Sequence, residues 1–257
     1  MDIYEYYGKF NEEKRLDSPR GKVEFYTSIK YIDICLNRYN NPKLIDIGAG
    51  TGKYSVYYAN KGYDVTAVEL VKNNLGTLKA KGSSVKAYLG NALDLSRFED
   101  ESFEITLLFG PMYHLKTSDE QLKALLEAKR VTKKGGSILV SYINNDYALL
   151  SYGFIDGHIK EAYDNKMIDK NFKVLNVGND LYAYHRLEDI DELNKKAGLK
   201  RDKIIAADTT ANYLRETLKK YSEEEFRLFL DYHLSVCERR EMLGTSGHFL
   251  DILTKEK

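Results

Sequence analysis

Two patterns of apolar positions alternate along most of the chain. Short apolar runs predict buried strands, and apolar residues spaced three and four apart predict amphipathic helices. The runs that predict strands cover 44–47, 63–69, 85–90, 103–109 and 137–143. The segments that predict helices cover 23–36, 54–61, 71–81 and 118–131. Ser118 and Gln121 have the spacing of a capping box at the start of the last helix.

The C-terminal part of the chain continues this alternation. A core helix begins near Glu188, an apolar run at 204–208 predicts a sixth strand, and 248–254 predicts a final strand. Two helices are predicted between these strands, over 211–220 and 222–240. Strands that alternate with helices indicate an α/β protein with a sheet covered by helices.

Residues 145–185 interrupt the pattern, because they are aromatic and polar without a clear period. Long insertions at the carboxyl ends of strands are commonly lids or binding loops. We interpret 145–185 as a substrate cap, with a structural elaboration or a dimer contact as the alternative. The remaining chain divides into an N-terminal arm with a leading helix (1–42) and a core (43–144 and 186–257) that carries a helical insertion at about 209–243.

Composition restricts the classes of function. Lys+Arg and Asp+Glu both number 39, so the net charge of zero gives no electrostatic footprint for nucleic acid. Cys35 and Cys237 lie in apolar helical patterns and predict buried free thiols. The sequence shows no signal peptide and no apolar run of membrane-spanning length, so we expect a cytoplasmic protein. His and Cys are few and scattered, so no metal site is predicted.

A glycine-rich turn follows the first predicted strand, and its glycines permit positive φ and close backbone approach to a ligand. A phosphate-binding P-loop needs Ser or Thr after Gly-Lys, and Tyr54 stands there. A dinucleotide fingerprint needs a third glycine where this chain has Lys53. The acid ahead of the turn, Asp46, would repel pyrophosphate and suits a ligand with an ammonium group. The turn reads Asp46-Ile47-Gly48-Ala49-Gly50-Thr51-Gly52.

This Asp-x-Gly-x-Gly-x-Gly stretch resembles motif I of the class I S-adenosylmethionine-dependent methyltransferases. The resemblance covers most of 44–142 and extends to the segment from Glu188 to the end. It implies a doubly wound, mostly parallel sheet of seven strands with helices on both faces and an antiparallel last strand. It also implies S-adenosylmethionine as methyl donor and S-adenosylhomocysteine as product.

The resemblance assigns cofactor contacts to the loops after the first two strands. The glycine turn would pass close to the methionyl and ribose parts of the cofactor. Its residues are Gly48, Ala49, Gly50, Thr51 and Gly52. Asp46 would either face the amino group or hold the turn. Glu69 lies 17 residues after Gly52, at the end of the second strand, where an acid accepts hydrogen bonds from ribose hydroxyls. Leu70 would pack on adenine.

Further contacts are assigned around the adenine and the methionyl end. Asn91 stands where the family usually has Asp, and its amide oxygen can accept from the adenine amine. Ala92 would border the adenine as well, and Asp94 is the alternative acceptor. Phe109 and Gly110 would border the methionyl end.

The N-terminal segment carries two further candidates. In the family this segment often closes over the cofactor, so Tyr7 and Arg15 would contact cofactor or substrate. A solvated N-terminal arm is the alternative.

The turn after the fourth strand carries the candidate catalytic residues, Tyr113 and His114. Amino-group DNA methyltransferases have Asn or Asp where this chain has Gly110, which argues against a nucleobase acceptor. The form of the turn resembles the small-molecule type. His114 could orient a nucleophile or remove its proton near neutral pH. The alternative is that His114 only hydrogen-bonds backbone or cofactor.

Three other functions stay open at this point. A nicotinamide-dependent oxidoreductase uses a similar sheet, but Asp46 and the missing third glycine count against it. A non-catalytic module that binds S-adenosylmethionine fits the same motifs. A nucleic-acid methyltransferase is disfavoured by the neutral charge and Gly110. The acceptor, its methylated atom and the oligomeric state do not follow from the sequence.

Overall fold

A seven-stranded sheet runs through the centre of the computed structural model, which describes residues 16–175 and 181–256. The strand order is β3-β2-β1-β4-β5-β7-β6. The strands are β1 (Lys43–Ile47), β2 (Asp64–Glu69), β3 (Lys86–Leu89), β4 (Phe103–Leu108), β5 (Thr132–Ile143), β6 (Lys200–Ala206) and β7 (His248–Thr254). The predicted seven-stranded sheet is confirmed.

Strands β1 to β5 pair in parallel, whereas β7 pairs antiparallel with both β5 and β6. The expectation of a mostly parallel sheet with an antiparallel last strand is therefore confirmed. Because β7 runs in reverse, its first residue, His248, lies opposite Ile143 at the end of β5. The start of β7 thus shares an edge of the sheet with the carboxyl ends of the parallel strands.

The chain reverses its direction of travel across the sheet between β1 and β4. It moves outward from β1 through β2 to β3, then returns to place β4 on the other side of β1. Ligands of doubly wound sheets bind in the crevice that forms at such a switch point, outside the carboxyl ends of the strands. The glycine turn follows β1 directly and lies at this crevice.

Ten α-helices occur within the described residues, and their bounds match the helical pattern of the sequence in most places. They are α1 (Pro19–Leu36), α2 (Lys53–Asn60), α3 (Lys72–Ala80), α4 (Ser118–Val131), α5 (Asn145–Ala148), α6 (Ile159–Asp164), α7 (Leu187–Ala197), α8 (Arg215–Leu218), α9 (Glu223–Val236) and α10 (Arg240–Leu243). Across 16–175 and 181–256, no helix has the length and apolarity needed to cross a membrane.

Alternation along the strands divides the core into two layers. Leu44 belongs to a cluster with side chains of α1 and α2, such as Ile32 and Tyr58. The next residue, Ile45, belongs to a cluster on the other face with side chains of α4 and α7, such as Leu125 and Ile190. Successive strand residues point to opposite faces, so each strand contributes to both layers. Helices cover both faces, as predicted.

The capping box of α4 lies one residue earlier than predicted. Thr117 is the N-cap, and its hydroxyl accepts the Glu120 N–H at 3.2 Å while the Glu120 carboxylate accepts the Thr117 N–H at 3.2 Å. Two overlapping patterns exist here, Thr117 with Glu120 and Ser118 with Gln121. A carboxylate at the positive end of a helix dipole is more favourable than a neutral amide, which favours the first pattern.

The insertion between β5 and α7 leaves and rejoins the core at adjacent positions. The Asn145 N–H donates to the His185 carbonyl at 2.9 Å, and the His185 N–H donates to the Ile143 carbonyl at 2.9 Å. Between these points the insertion contains α5, a π-helical turn (Leu149–Ile155) and α6.

Candidate functional site

The glycine turn after β1 is held tightly against the turn after β4. Gly48 has φ of +76°, and a Cβ built on it would lie 2.5 Å from Cδ of Pro111. Only glycine fits both the backbone conformation and the contact. The N–H groups of Gly48 and Ala49 both donate to the Val68 carbonyl of β2, at 2.8 and 3.1 Å. The turn is thereby fixed between its two neighbouring strand ends.

Asp46 holds the start of α2 and also lines the cavity beside the turn. The Ser55 hydroxyl donates to its carboxylate at 2.5 Å. The side chain is buried, and burial raises its pKa to about 6, against the lowering effect of the Ser55 hydrogen bond. The carboxylate therefore holds the start of α2 and also lines the cavity, so the structure is compatible with both roles that the sequence left open.

Glu69 joins the ends of the two turns at the crevice. One carboxylate oxygen accepts the Gly50 N–H at 2.8 Å, and the other accepts the Val71 N–H at 2.8 Å. Burial raises the pKa of Glu69, and the hydrogen bonds from Val71, Gly50 and Asn74 oppose this rise. The carboxylate also lines the cavity, so it lies within reach of a ligand bound there.

Asn91, and not Asp94, lies at the cavity. Asn91 lines it together with Leu70 and Ala92. The Asn91 side-chain oxygen accepts the Leu93 N–H at 3.0 Å, which fixes the orientation of the amide. Asp94 is outside the lining and accepts the Ser96 N–H at 3.0 Å.

Tyr113 and His114 follow β4 in a 3-10 turn that borders the cavity. The Tyr113 hydroxyl donates to the Phe109 carbonyl. His114 lies 3.2 Å from the Leu181 carbonyl through Nδ1. Burial lowers the pKa of His114 to about 4, with partial opposition from the Leu181 hydrogen bond. His114 is therefore neutral near pH 7, and its Nδ1–H donates to that carbonyl.

Most predicted site residues meet at one cavity of about 440 Å³, within the size range of small-molecule sites. Gly52 is outside the lining and forms the N-cap of α2. Tyr7 and Arg15 fall outside the described residues. The predicted residues that line the cavity are Asp46, Gly48, Ala49, Gly50, Thr51, Glu69, Leu70, Asn91, Ala92, Phe109, Gly110, Tyr113 and His114.

The insertion forms part of the cavity wall. Its tyrosines Tyr147, Tyr152, Tyr182 and Tyr184 line the cavity. The Tyr182 ring lies 5.3 Å from the His114 ring, centroid to centroid. The insertion therefore adds an aromatic surface to the cavity that the glycine turn also lines.

The sequence analysis missed a buried Asp–His pair at the same cavity. Asp208 follows β6 and His248 begins β7, and His248 Nδ1 lies 2.7 Å from an Asp208 carboxylate oxygen. Asp208 also accepts hydrogen bonds from the Ser246 hydroxyl, the Gly247 N–H and the Asn212 amide, at 2.7, 2.8 and 2.5 Å. One feature of the sequence could have indicated the pair. Asp208 was predicted at the end of one strand and His248 at the start of the next, and an antiparallel β7 brings these two strand ends to the same edge of the sheet.

The Asp208 carboxylate is ionised in this environment. Burial alone would raise its pKa, but the His248 charge and the hydrogen bonds from His248 and Ser246 hold the pKa below its ordinary value. Glu24 of α1 lies 3.8 Å from His248 Nδ1, and the three side chains have the spacing of metal ligands, within 4.8 Å of one another. Since hydrogen bonds from five donors already use both Asp208 oxygens, we interpret the group as a hydrogen-bonded pair rather than a metal site.

Comparison with known proteins agrees with the geometry. Residues 45–140 match the family model described as a methyltransferase domain. A demethylmenaquinone methyltransferase of Renibacterium salmoninarum is 37% identical over 100 residues, which are 38% of this chain and 40% of that protein. The chain thus covers about two fifths of the length of the first curated relatives that it matches.

Solved structures match over nearly the whole chain. A methyltransferase from Thermotoga maritima, described as a possible histamine N-methyltransferase, has a TM-score of 0.59 at 20% identity and covers 98% of both chains. A Methanosarcina mazei methyltransferase has a TM-score of 0.57 at 19% identity and covers 87% of this chain and 97% of its own. At these identities the likeness shows the fold.

Residues 45–140 thus match a methyltransferase domain, and the chain has the fold of solved S-adenosylmethionine-dependent methyltransferases. This confirms the resemblance that the glycine turn indicated. One solved structure of this fold, a geranyl diphosphate C-methyltransferase of Streptomyces coelicolor, holds S-adenosyl-L-homocysteine.

Proposed function

We propose that this chain transfers a methyl group from S-adenosylmethionine to a small-molecule acceptor bound in the same cavity. The observation that carries the proposal is that one cavity is lined by two groups of residues. One group is the glycine turn with Asp46 and Glu69, which we call the glycine end, and the other is the tyrosines of the insertion, which we call the acceptor end. The cofactor and an acceptor would then meet in one cavity.

The residues at the glycine end fit the chemical groups of S-adenosylmethionine. The Glu69 carboxylate is an acceptor that suits ribose hydroxyls, and the Asn91 amide suits the adenine amine. The Asp46 carboxylate suits the ammonium group of the methionyl part. When bound, the cofactor supplies a methyl group already activated by its sulfonium. The protein's contribution is to orient the acceptor and exclude water.

The acceptor end fits a small molecule with apolar or aromatic character. Tyr147, Tyr182 and Tyr184 present ring surface to the cavity, and we propose that 145–185 acts as the substrate cap. The names of two similar proteins, the demethylmenaquinone methyltransferase and the possible histamine N-methyltransferase, support a small acceptor. The zero net charge supports the same choice over nucleic acid.

We also propose a reducing, cytoplasmic setting. Cys35 and Cys237 are both free thiols and both buried. Structural thiols of this kind are typical of proteins that function in reducing compartments.

The first test is thermal unfolding of the purified protein with S-adenosylmethionine, S-adenosylhomocysteine and NAD in parallel. A ligand at a hundred times its dissociation constant adds about 2.7 kcal/mol to the free energy of unfolding. Stabilisation by the two sulfur compounds alone supports the proposal. Stabilisation by NAD alone would replace it with the oxidoreductase.

The second test is formation of S-adenosylhomocysteine with a set of small acceptors. Turnover that depends on an acceptor supports methyl transfer. Binding of S-adenosylmethionine without turnover of any acceptor in a broad set would favour the non-catalytic module.

A further inference from the structure

We infer that His248, positioned by Asp208, is the general base of the proposed methyl transfer, and that the acceptor is a nucleophile that must lose a proton. This inference rests on the proposed function and deepens it. Both residues line the cavity, at the carboxyl edge of the sheet. A base for the reaction must lie within reach of the acceptor, and the cavity wall provides that position.

Hydrogen bonding determines which nitrogen of His248 is basic. An ionised carboxylate can only accept, so the 2.7 Å contact requires that His248 Nδ1 carries the hydrogen and donates it to Asp208. In the neutral form of the ring the lone pair then lies on Nε2, whereas the protonated form is the one whose charge lowers the pKa of Asp208. A carboxylate that fixes the tautomer and stabilises the imidazolium is the arrangement that a histidine base needs.

The position of Asp208 is itself fixed by the surrounding chain. The Asn212 amide donates to Asp208 at 2.5 Å, and its oxygen accepts from the Arg20 guanidinium at 3.1 Å. The Ser246 hydroxyl and the Gly247 N–H bind the other carboxylate oxygen. Asp208 is thus a positioning residue whose orientation is set from three segments of the chain.

The step balances in protons and electrons. The acceptor's O–H, N–H or acidic C–H gives its proton to Nε2 of His248, and its electron pair forms the new bond to the methyl carbon. The carbon–sulfur bond breaks, and its electron pair returns to sulfur, which leaves as the neutral thioether. An imidazolium beside the Asp208 carboxylate remains, and it releases the proton to solvent after product departure.

His114 is the rival base, and its surroundings are less suitable. Its Nδ1 hydrogen-bonds a backbone carbonyl, Leu181, rather than a carboxylate. A carbonyl fixes the tautomer but supplies no charge to stabilise a protonated ring. We therefore assign His114 to holding the turn after β4 against the insertion.

The test that needs no acceptor is nitrogen NMR of the full chain with labelled histidines, in the presence of S-adenosylhomocysteine. The chain has five histidines, so the His248→Gln variant assigns the His248 signals. We expect His248 in the Nδ1–H tautomer, and a mixture of tautomers in Asp208→Asn. The control is Asp202→Asn, at the opposite end of β6, which should leave the tautomer unchanged. A His248 ring with its hydrogen on Nε2 would overturn the inference.

The kinetic test uses catechol, phenethylamine and benzoate as acceptors, with S-adenosylhomocysteine formation as the readout. We expect turnover of catechol or phenethylamine and none of benzoate, which has no proton to lose. His248→Gln should lower turnover by about 100-fold or more, the usual contribution of a general base, while S-adenosylhomocysteine affinity is retained. Wild-type turnover in His248→Gln, or methylation of benzoate alone, would overturn the inference.

These results separate the two proposals. If wild-type protein fails to bind S-adenosylhomocysteine in the unfolding assay, the proposed function fails. If it binds, and His248 has the wrong tautomer or is dispensable for turnover, only the assignment of the base fails. If none of the three acceptors is methylated, the NMR measurement of the His248 tautomer alone tests the assignment of the base.

Discussion

The Gly50 N–H donates a 2.8 Å hydrogen bond to the Glu69 carboxylate, which ties the glycine turn after β1 to the end of β2. The sequence predicted Glu69 as a ligand of the cofactor ribose, and the structure adds a second duty for the same carboxylate. Since its other oxygen accepts the Val71 N–H, Glu69 sets the separation of two turns that border the cavity. The carboxylate therefore shapes the cavity as well as lining it.

Replacement of Glu69 by Ala should weaken S-adenosylhomocysteine binding by about 10- to 100-fold, the effect of losing hydrogen bonds to a charged group. Titration calorimetry of the variant measures this. The control is Asp64→Ala, which removes an exposed carboxylate from the other end of β2 and should leave affinity unchanged. Unchanged affinity in Glu69→Ala would eliminate the ribose assignment.

Replacement of Gly48 by Ala should abolish cofactor binding and lower stability, because the new Cβ would lie 2.5 Å from Pro111. The matched control is Gly62→Ala. Gly62 has φ of +90° but no neighbour within 4 Å of a built Cβ, so that variant reports backbone strain alone. Strain of this kind costs about 1–2 kcal/mol. Chemical denaturation and S-adenosylhomocysteine titration of both variants test the difference, and equal losses would show that the Pro111 contact is unimportant.

Local pattern accounts for what the sequence could predict. Leu44 and Ile45 alternate between the two faces of β1, and the apolar spacing of 118–131 gave α4 with its observed bounds. The glycine turn and Glu69 belong to one strand–helix–strand unit, so their proximity follows from chain connectivity. Each of these predictions needed only residues that are near in sequence.

The Asp208–His248 pair could not be predicted from residues that are near in sequence. The two residues are 40 positions apart, and their contact depends on the reversed direction of β7 and on a helical excursion that carries Asn212. The aromatic surface was predicted only as a property of the whole insertion, since which of its tyrosines face inward depends on how that segment returns to the core at His185. Such contacts depend on how distant segments pack together, and the short-range periodicity of the sequence does not contain that information.

Asp46 should make cofactor affinity depend on pH. Burial raises its pKa to about 6, so the carboxylate is ionised at pH 7.5 and progressively protonated below pH 6. The neutral acid attracts an ammonium group less, so S-adenosylhomocysteine affinity should fall between pH 7.5 and 5. In Asp46→Asn the affinity should be lower at pH 7.5 and vary less with pH, as measured by calorimetry at several pH values.

A second variant separates Asp46 from Glu69, whose pKa is also raised by burial. Removal of the Ser55 hydroxyl in Ser55→Ala deletes a hydrogen bond that lowers the pKa of Asp46. The loss of affinity should then begin at a higher pH than in wild type. An unchanged pH dependence in both variants would assign the titration to another group.

His233 should give the protein a measurable acid sensitivity. Both ring nitrogens lie at hydrogen-bond distance from threonine hydroxyls, 2.7 Å from Thr27 and 2.9 Å from Thr209. Burial lowers its pKa to about 4 from an ordinary value of 6.5, so the folded state keeps the ring neutral while the unfolded chain protonates it. Between these values the unfolded state binds more protons, so the free energy of unfolding falls as pH falls, by about 1.4 kcal/mol per pH unit for one proton.

The comparison of variants isolates this contribution, since other buried groups titrate in the same range. His233→Gln removes the titrating ring, and the free energy of unfolding by urea should decline less steeply between pH 6.5 and 4 than in wild type. Thr27→Val is the matched control, because it lowers stability at every pH but keeps the ring and therefore keeps the slope. An equal slope in His233→Gln and wild type would mean that folding does not lower the pKa of His233.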